Sequence, residues 1–183
     1  MSEEIVVRCA SPTLAGLKTG SLFSCPMESR EQAMRDIRDM NRSLIRKGVS
    51  ILPLRFDTGR VLIYLFRPGF LKRDLEEKET VRILEEKGYR QLDFGHCLAR
   101  LIRRLNSQDE FPHEIGLFLS YPPEDVRGFI ENRAANCKCV GCWKVYGDEQ
   151  AAKKRFAVYE KCTRDYCRQW ASGKSLSQLA VNV

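Results

Sequence analysis

The chain has 183 residues, 43% of them apolar and 30% charged, a composition that fits a globular protein and excludes a disordered one. The net charge of +7 comes from 31 basic and 24 acidic residues interleaved along the chain, which is typical of a solvated surface and does not indicate nucleic-acid binding. The first ten residues carry acids where a signal peptide carries bases, and no run approaches the roughly 18 apolar residues that span a bilayer. We therefore expect a cytosolic protein without a membrane span, and the sequence leaves its oligomeric state open.

The first predicted elements are a strand and a helix. The β-branched run "EIVVRCA" predicts a strand over 4–9, and Ser11 before Pro12 predicts a helical turn that begins there. Residues 28–47 repeat apolar side chains at helical spacing, and Gly48 follows as a stop signal. This pattern predicts an amphipathic helix.

A β-hairpin follows, and after it a charged helix. Two apolar runs, 49–56 and 60–66, flank the turn sequence "DTGR", which predicts the hairpin. Pro53 predicts that the first arm carries a bulge or lies at a sheet edge, because proline has no N–H to donate. Residues 72–87 are rich in helix formers and end before Gly88, so we predict a helix there.

The second half of the chain alternates predicted helices and strands. A helix over 93–105 has one apolar stripe, and the apolar run 114–121 predicts a buried strand that two prolines end. A helix over 124–132 comes next, then a final strand over 142–146 and a long amphipathic helix over 148–172.

These elements predict one layered domain of the α/β or α+β class over 1–173, followed by a C-terminal tail over 174–183. The hairpin breaks a strictly parallel strand order. We therefore expect a mixed sheet of four to five strands flanked by helices.

Three stretches resemble a family of uncharacterised bacterial proteins, found largely in anaerobic Firmicutes, whose domain has no assigned function. They are "CASPTLAGLKTGSLF", "FPHEIGLFLSYPPEDVRGF" and "GCWKVYGDEQAAKKRF". The resemblance spans most of the chain and brings no activity with it, but it implies which polar positions to examine. These positions are Cys9, Thr13, Gly16, Lys18, His113, Glu114, Gly116, Asp125, Trp143, Lys144 and Tyr146.

The eight cysteines of a cytosolic chain are expected to be reduced thiols, metal ligands or reactive groups rather than disulfides. The run "NCKCVGC" suits a metal because a short loop can point two sulfurs at one ion, although the third motif of the resembled family does not require three cysteines. Reduced cysteines beside a strand are the alternative. The candidate metal ligands are Cys137, Cys139, Cys142 and Cys162.

Cys9 ends the first predicted strand, before a capped turn and Lys18, where backbone amides and a cation favour a thiolate. The hydroxyl of Thr13, the flexible Gly16 and the charge of Lys18 also suit an anion-binding loop. A buried cysteine and an ordinary strand-to-helix loop are the alternative interpretation.

His113 and Glu114 have three interpretations: a general acid and base, ligands of a metal or haem, or a structural histidine at a strand start. Neighbours on a strand point to opposite faces, so the two side chains are not expected to converge on one atom. Lys144 and Tyr146 share one face of the last predicted strand, and this pair suits an anionic ligand. A solvent-facing salt bridge beside an edge aromatic is the alternative for that pair.

We favour a protein that binds or acts on a small anionic ligand or cofactor, because strand ends beside small-residue loops are where ligands bind in layered α/β folds. Its cleft would combine the 9–18 loop, 113–114 and 143–146. The candidate catalytic residues are Cys9, His113 and Glu114, and the candidate ligand-binding residues are Thr13, Lys18, Lys144 and Tyr146.

Two other classes stay open. A thiol-redox or metal module would centre on 137–142 and bind zinc, an iron–sulfur cluster or haem. A protein-interaction or nucleic-acid-binding module would instead present an exposed patch of Arg100, Arg103 and Arg104. The sequence does not name the cofactor or the substrate.

Overall fold

The computed structural model describes residues 2–90, 92–107 and 110–183 and has an α+β architecture, so the predicted class is confirmed. Two compact units make up the chain. The first comprises Met1–Gly69 with Tyr159–Val183, and the second comprises Phe70–Val158. Within the described parts of the chain, no helix combines the length and the apolar character that crossing a bilayer requires.

The described residues form nine α-helices and five strands. The helices are α1 (Glu3–Leu14), α2 (Arg30–Leu44), α3 (Pro68–Leu75), α4 (Lys78–Glu86), α5 (Phe94–Leu105), α6 (Ile115–Phe118), α7 (Pro123–Glu131), α8 (Glu149–Ala171) and α9 (Leu176–Leu179). The strands are β1 (Gly20–Pro26), β2 (Ser50–Asp57), β3 (Arg60–Phe66), β4 (Cys139–Val140) and β5 (Lys144–Val145).

The predicted mixed sheet is wrong. In the described residues the sheets are a three-stranded one in the order β1-β3-β2 and a two-stranded one, β4-β5, and both are antiparallel throughout. The predicted hairpin is confirmed as β2 and β3, with the irregularity between Pro53 and Arg55 and with β2 at an edge. The prediction did not include β1.

The outer edge of β2 is covered by a side chain of α2. The Asn41 amide donates to the Ile51 carbonyl at 2.8 Å, and its oxygen accepts from the Ile51 N–H, also at 2.8 Å. An asparagine side chain therefore substitutes for a neighbouring strand at this position. Together with the proline and the bulge, it protects the edge from pairing with another chain.

The predicted strand over 4–9 is wrong because these residues lie in α1. Their burial follows helical spacing, with Val6, Val7, Ala10 and Leu14 all buried in the core of the first unit. Packing of this face therefore outweighs the β propensity of the branched residues. Ser11 is not a helix N-cap but lies inside α1, where its hydroxyl donates to the Val7 carbonyl.

The predicted strand over 114–121 is also wrong. The run forms the short helix α6, and local bonds replace a strand ladder: the Gly116 carbonyl accepts from the N–H groups of Leu119 and Tyr121, both at 3.0 Å. A side chain at position 116 would lie 2.8 Å from Val126 and 2.9 Å from Tyr121, so glycine permits close packing there. A continuous apolar run indicates burial, and by itself it does not distinguish helix from strand.

The long helices are mostly confirmed. The predicted helix over 28–47 is α2 with a 3₁₀ turn, and Gly48 ends it in the left-handed conformation at φ 68°. The predicted helix over 72–87 is split into α3 and α4, because the Glu77 carboxylate accepts the Thr80 N–H at 2.8 Å and begins a new helix. The final strand predicted over 142–146 is reduced to β5.

The last ten residues contribute to the first unit. Ser175 and Gln178 form a capping box at the start of α9, and Leu176, Leu179 and Ala180 are buried in the core. The Val181 N–H donates to the Leu14 carbonyl at 3.1 Å, which fixes the end of the chain against α1.

Arg67 is the largest fully buried side chain of the described residues, with 1% exposure. Its guanidinium donates to four backbone carbonyls: Thr13 at 2.7 Å, Leu14 at 2.6 Å, Lys47 at 3.1 Å and Val181 at 3.0 Å. Desolvation lowers the pKa of Arg67 from its usual value. The side chain joins the end of α1, the turn after α2 and the C-terminal segment.

We expect Arg67→Met to lower the free energy of unfolding by about 3 kcal/mol or more, because it leaves buried carbonyls without donors. Urea denaturation followed by circular dichroism measures this loss. Arg60→Met is the matched control, because Arg60 is exposed at the opposite end of β3 and donates to Ser24. The control should lose less than about 1 kcal/mol, and equal losses would contradict the assigned role of Arg67.

Candidate functional site

The predicted cleft residues and the predicted metal ligands are divided between the two units. The first unit contains Cys9, Thr13, Lys18 and Cys162, and the second contains the remaining candidates. The second-unit candidates are His113, Glu114, Cys137, Cys139, Cys142, Lys144 and Tyr146.

In the first unit, Cys9 does not have the environment expected at a strand end. It is exposed on α1, and desolvation raises the pKa of its thiol, an effect that the charge of Arg8 partly opposes. Thr13 is buried, and its hydroxyl pairs with the Ser21 hydroxyl at 2.9 Å. Lys18 lies over the Tyr159 ring, with 6.0 Å between Nζ and the centroid. The prediction of a thiolate-favouring loop is wrong, because residues 9–14 lie in α1 and the pKa of Cys9 is raised rather than lowered.

Glu114 is a buried structural carboxylate in the second unit. Its side chain is 1% exposed and accepts from the Tyr89 hydroxyl at 2.9 Å, while Arg104 Nη1 lies 3.0 Å from Oε1. The pKa of Tyr89 is raised strongly, first by burial and then by the charge of Glu114. A carboxylate so enclosed anchors the start of α6 to α5 and does not face a surface ligand.

The arginines of α5 do not form the exposed basic patch that the third functional class requires. Arg100 lies over the Tyr89 ring at 5.2 Å and donates to the Lys87 carbonyl at 3.1 Å. Arg104 also donates to that carbonyl, at 3.2 Å, and pairs with the buried carboxylate described above. Only Arg103 of the three is exposed.

Asp125 is the second buried carboxylate of this unit and holds the β5 segment against α7. It is 3% exposed and accepts three hydrogen bonds, from Trp143 Nε1 at 2.6 Å and from the backbone N–H groups of Tyr146 and Gly147, both at 2.7 Å. A carboxylate that accepts three donors fixes the direction of the strand. Asp125 therefore sets where the side chain of Lys144 lies.

Four side chains form a surface group that we call the His113 cluster: Phe111, His113, Phe129 and Lys144. The His113 ring lies 5.6 Å from the Phe111 ring and 4.9 Å from the Phe129 ring, between centroids. Lys144 Nζ lies 6.0 Å from the Phe129 centroid and donates to the Ala134 carbonyl at 2.7 Å. The structure thus brings two predicted site residues to the same aromatic ring.

The side chains of His113 and Glu114 point in different directions, as expected. The two residues lie at the start of a helix, however, and not on a strand. The His113 side chain is 35% exposed, whereas Glu114 is buried. Neither Phe111 nor Phe129 was predicted from the sequence as a site residue. The signal available for Phe111 was its position two residues before His113, in a proline-containing segment for which neither a strand nor a helix was predicted.

Tyr146 does not present its hydroxyl to a surface ligand. The hydroxyl is buried and has no hydrogen-bond partner among the described residues. The pKa of the phenol is raised, mainly by desolvation and less by Cys137 and Asp125. The ring packs so closely on α7 that a side chain at Gly128 would lie 2.5 Å from it. Tyr146 therefore supports the cluster by packing.

The cysteines show no arrangement that holds a metal. Across 2–90, 92–107 and 110–183, no group of three or more histidine, cysteine or acidic side chains is placed to bind an ion. Cys137 and Cys139 are half-buried and Cys142 is exposed, while Cys162 lies in the first unit, where burial raises its pKa to about 11. None of the eight cysteines forms a disulfide bond.

A family model described as a protein of unknown function (DUF3793) matches residues 5–180 of the chain. Neither a curated protein nor a solved structure shows significant similarity to it. The family match covers both compact units and assigns no activity.

We expect Tyr89 and Tyr146, whose hydroxyl groups are both buried, to respond differently to loss of those groups. Tyr89→Phe removes a hydrogen bond to a buried carboxylate and should cost about 1.5–3 kcal/mol of unfolding free energy. Tyr146→Phe removes a hydroxyl without a described partner and should change stability by less than about 0.5 kcal/mol or increase it. Urea denaturation of both variants measures the contrast, and similar losses would show that Tyr146 has an acceptor.

Proposed function

The chain belongs to the DUF3793 family, whose function is unknown, and we propose that it binds a small anionic ligand at the His113 cluster. One observation carries the proposal: the imidazole of His113 and the ammonium of Lys144 lie against the same ring, that of Phe129. Two nitrogen groups at one aromatic surface supply donors for an anion beside a low-dielectric wall.

The donors of Lys144 support this proposal. An ammonium group has three N–H donors, and within the described chain one of them goes to the Ala134 carbonyl. The described ion pairs include no carboxylate partner for this lysine. With respect to the described residues, its remaining donors can therefore bind a ligand oxygen without breaking an internal ion pair.

One acidic group opposes an anion at this surface. Glu110 Oε1 lies 3.9 Å from His113 Nε2, and the Glu110 side chain is 87% exposed. A contact of this length between exposed groups contributes little energy. The carboxylate is therefore displaced at small cost when a ligand binds, and it lowers anion affinity as long as it carries its charge.

The proposal differs from the cleft expected from the sequence in its residues. Thr13 is buried and hydrogen-bonded in the first unit, and Glu114 is enclosed by its partners, so neither is part of the proposed site. The His113 cluster contains one imidazole, and among 2–90, 92–107 and 110–183 no buried acid faces it, which favours binding over acid–base catalysis. A cytosolic location stays a prediction from the sequence.

The chain contains two histidines, so nuclear magnetic resonance of the imidazole rings tests the proposal with an internal control. With inorganic phosphate and pyrophosphate as probes, we expect the His113 ring signals to shift and saturate. The His96 signals should not, because Asp93 pairs with that ring and disfavours an anion. Shifts of equal size and concentration dependence at both rings would indicate a general salt effect and contradict the proposal.

Matched lysine variants separate the ligand role of Lys144 from its structural role. Lys144→Ala should weaken phosphate binding about tenfold, because a charge-assisted hydrogen bond is lost. Lys138→Ala should leave it unchanged, although Lys138 also donates to a backbone carbonyl, that of Gly147. Glu110→Gln should strengthen binding by removing the opposing charge. Equal losses of phosphate affinity in both lysine variants would contradict the proposed site.

A further inference from the structure

Phe111 is an exposed aromatic ring at the edge of the His113 cluster. It is 44% exposed, and its ring is tilted by 53° against the imidazole. Phe94, in the same unit, has a similar exposure of 38% but no ring contact among the described residues. Phe111 therefore differs from an ordinary exposed side chain in its position, since it extends a row of rings.

The row runs from Phe111 through His113 to Phe129, and Lys144 lies at its far end. Aromatic and imidazole rings are the side chains on which nucleobases stack, and an ammonium group is a usual partner of phosphate. An anion without a flat group would use the lysine and the imidazole and leave the Phe111 ring in water.

We infer that the ligand of this site is a free nucleotide, whose base stacks on Phe111 and His113 and whose phosphate is bound by Lys144. The inference rests on the proposed function and adds the chemical class of the ligand. It selects a mononucleotide over a nucleic-acid strand, because a strand needs a row of cations. The cluster instead has one lysine, and Glu110 lies beside its histidine.

The experiment compares three probes that separate the base from the phosphate: adenosine monophosphate, ribose 5-phosphate and adenosine. Titrations are followed at the His113 ring, with the His96 ring as the internal control. We expect adenosine monophosphate to bind about fivefold to a hundredfold more tightly than ribose 5-phosphate, because one stacked base contributes that much affinity. Adenosine should bind more weakly than the monophosphate, because it lacks the charge.

Matched phenylalanine variants locate the stacking surface. Phe111→Leu should bring the affinity for adenosine monophosphate close to that for ribose 5-phosphate, while binding of ribose 5-phosphate is retained. Phe94→Leu should leave the preference unchanged. Both side chains are exposed, so both variants should fold, and their amide spectra verify this.

The outcomes distinguish the inference from the function on which it rests. If ribose 5-phosphate binds as tightly as adenosine monophosphate, the nucleotide inference is overturned and anion binding stands. If none of the three probes and no phosphate shifts the His113 signals, both are overturned. If Phe94→Leu removes the preference as well as Phe111→Leu does, the stacking surface is wrongly placed and the inference fails.

Discussion

The buried guanidinium of Arg67 is the interaction on which the first unit depends. It supplies donors to carbonyls at the end of α1, in the turn after α2 and in the C-terminal segment. The last carbonyls of a helix have no partner within the helix and carry partial negative charge. A single arginine therefore supplies hydrogen-bond donors to the carbonyls of three segments that pack at one place. Without Arg67 these carbonyls would need water as a donor, and the core beside them would open to admit it.

In the second unit, buried carboxylates have the role that the guanidinium has in the first. Glu114 accepts from Tyr89 and pairs with Arg104, and Asp125 accepts from an indole and two backbone N–H groups. Each carboxylate is nearly inaccessible, so its charge has to be balanced by fixed donors. The resulting rigidity has a functional consequence, because the residue before Glu114 is turned outward and the residue after Trp143 is held against α7. The His113 cluster is thus positioned by buried charges that do not themselves contact a ligand.

The sequence indicated part of this site and missed the part that depends on packing. His113 and Lys144 were predicted from residue type and from the motifs that contain them. Phe111 and Phe129 were missed because their role comes from contacts between a loop and α7, which no local pattern encodes. Glu114 was predicted as a catalytic residue and Tyr146 as a ligand-binding residue, but the Glu114 side chain and the Tyr146 hydroxyl are buried. Residue type shows what a side chain can do, and its surroundings decide which of these roles it takes.

Local sequence patterns determined those elements for which the pattern is compatible with only one type of secondary structure. The amphipathic stripe of 28–47 with its glycine stop, and the two apolar arms around a tight turn, each allow one low-energy backbone. Tertiary structure decided the ambiguous runs. Residues 4–9 and 114–121 are apolar enough for strands, yet both runs contain helices. In 4–9 the buried residues repeat at helical spacing, and in 114–121 local hydrogen bonds to the Gly116 carbonyl replace a strand ladder. Burial of apolar area is non-directional, so the sequence by itself determined that these segments are inside, and only their packing partners determined their conformation.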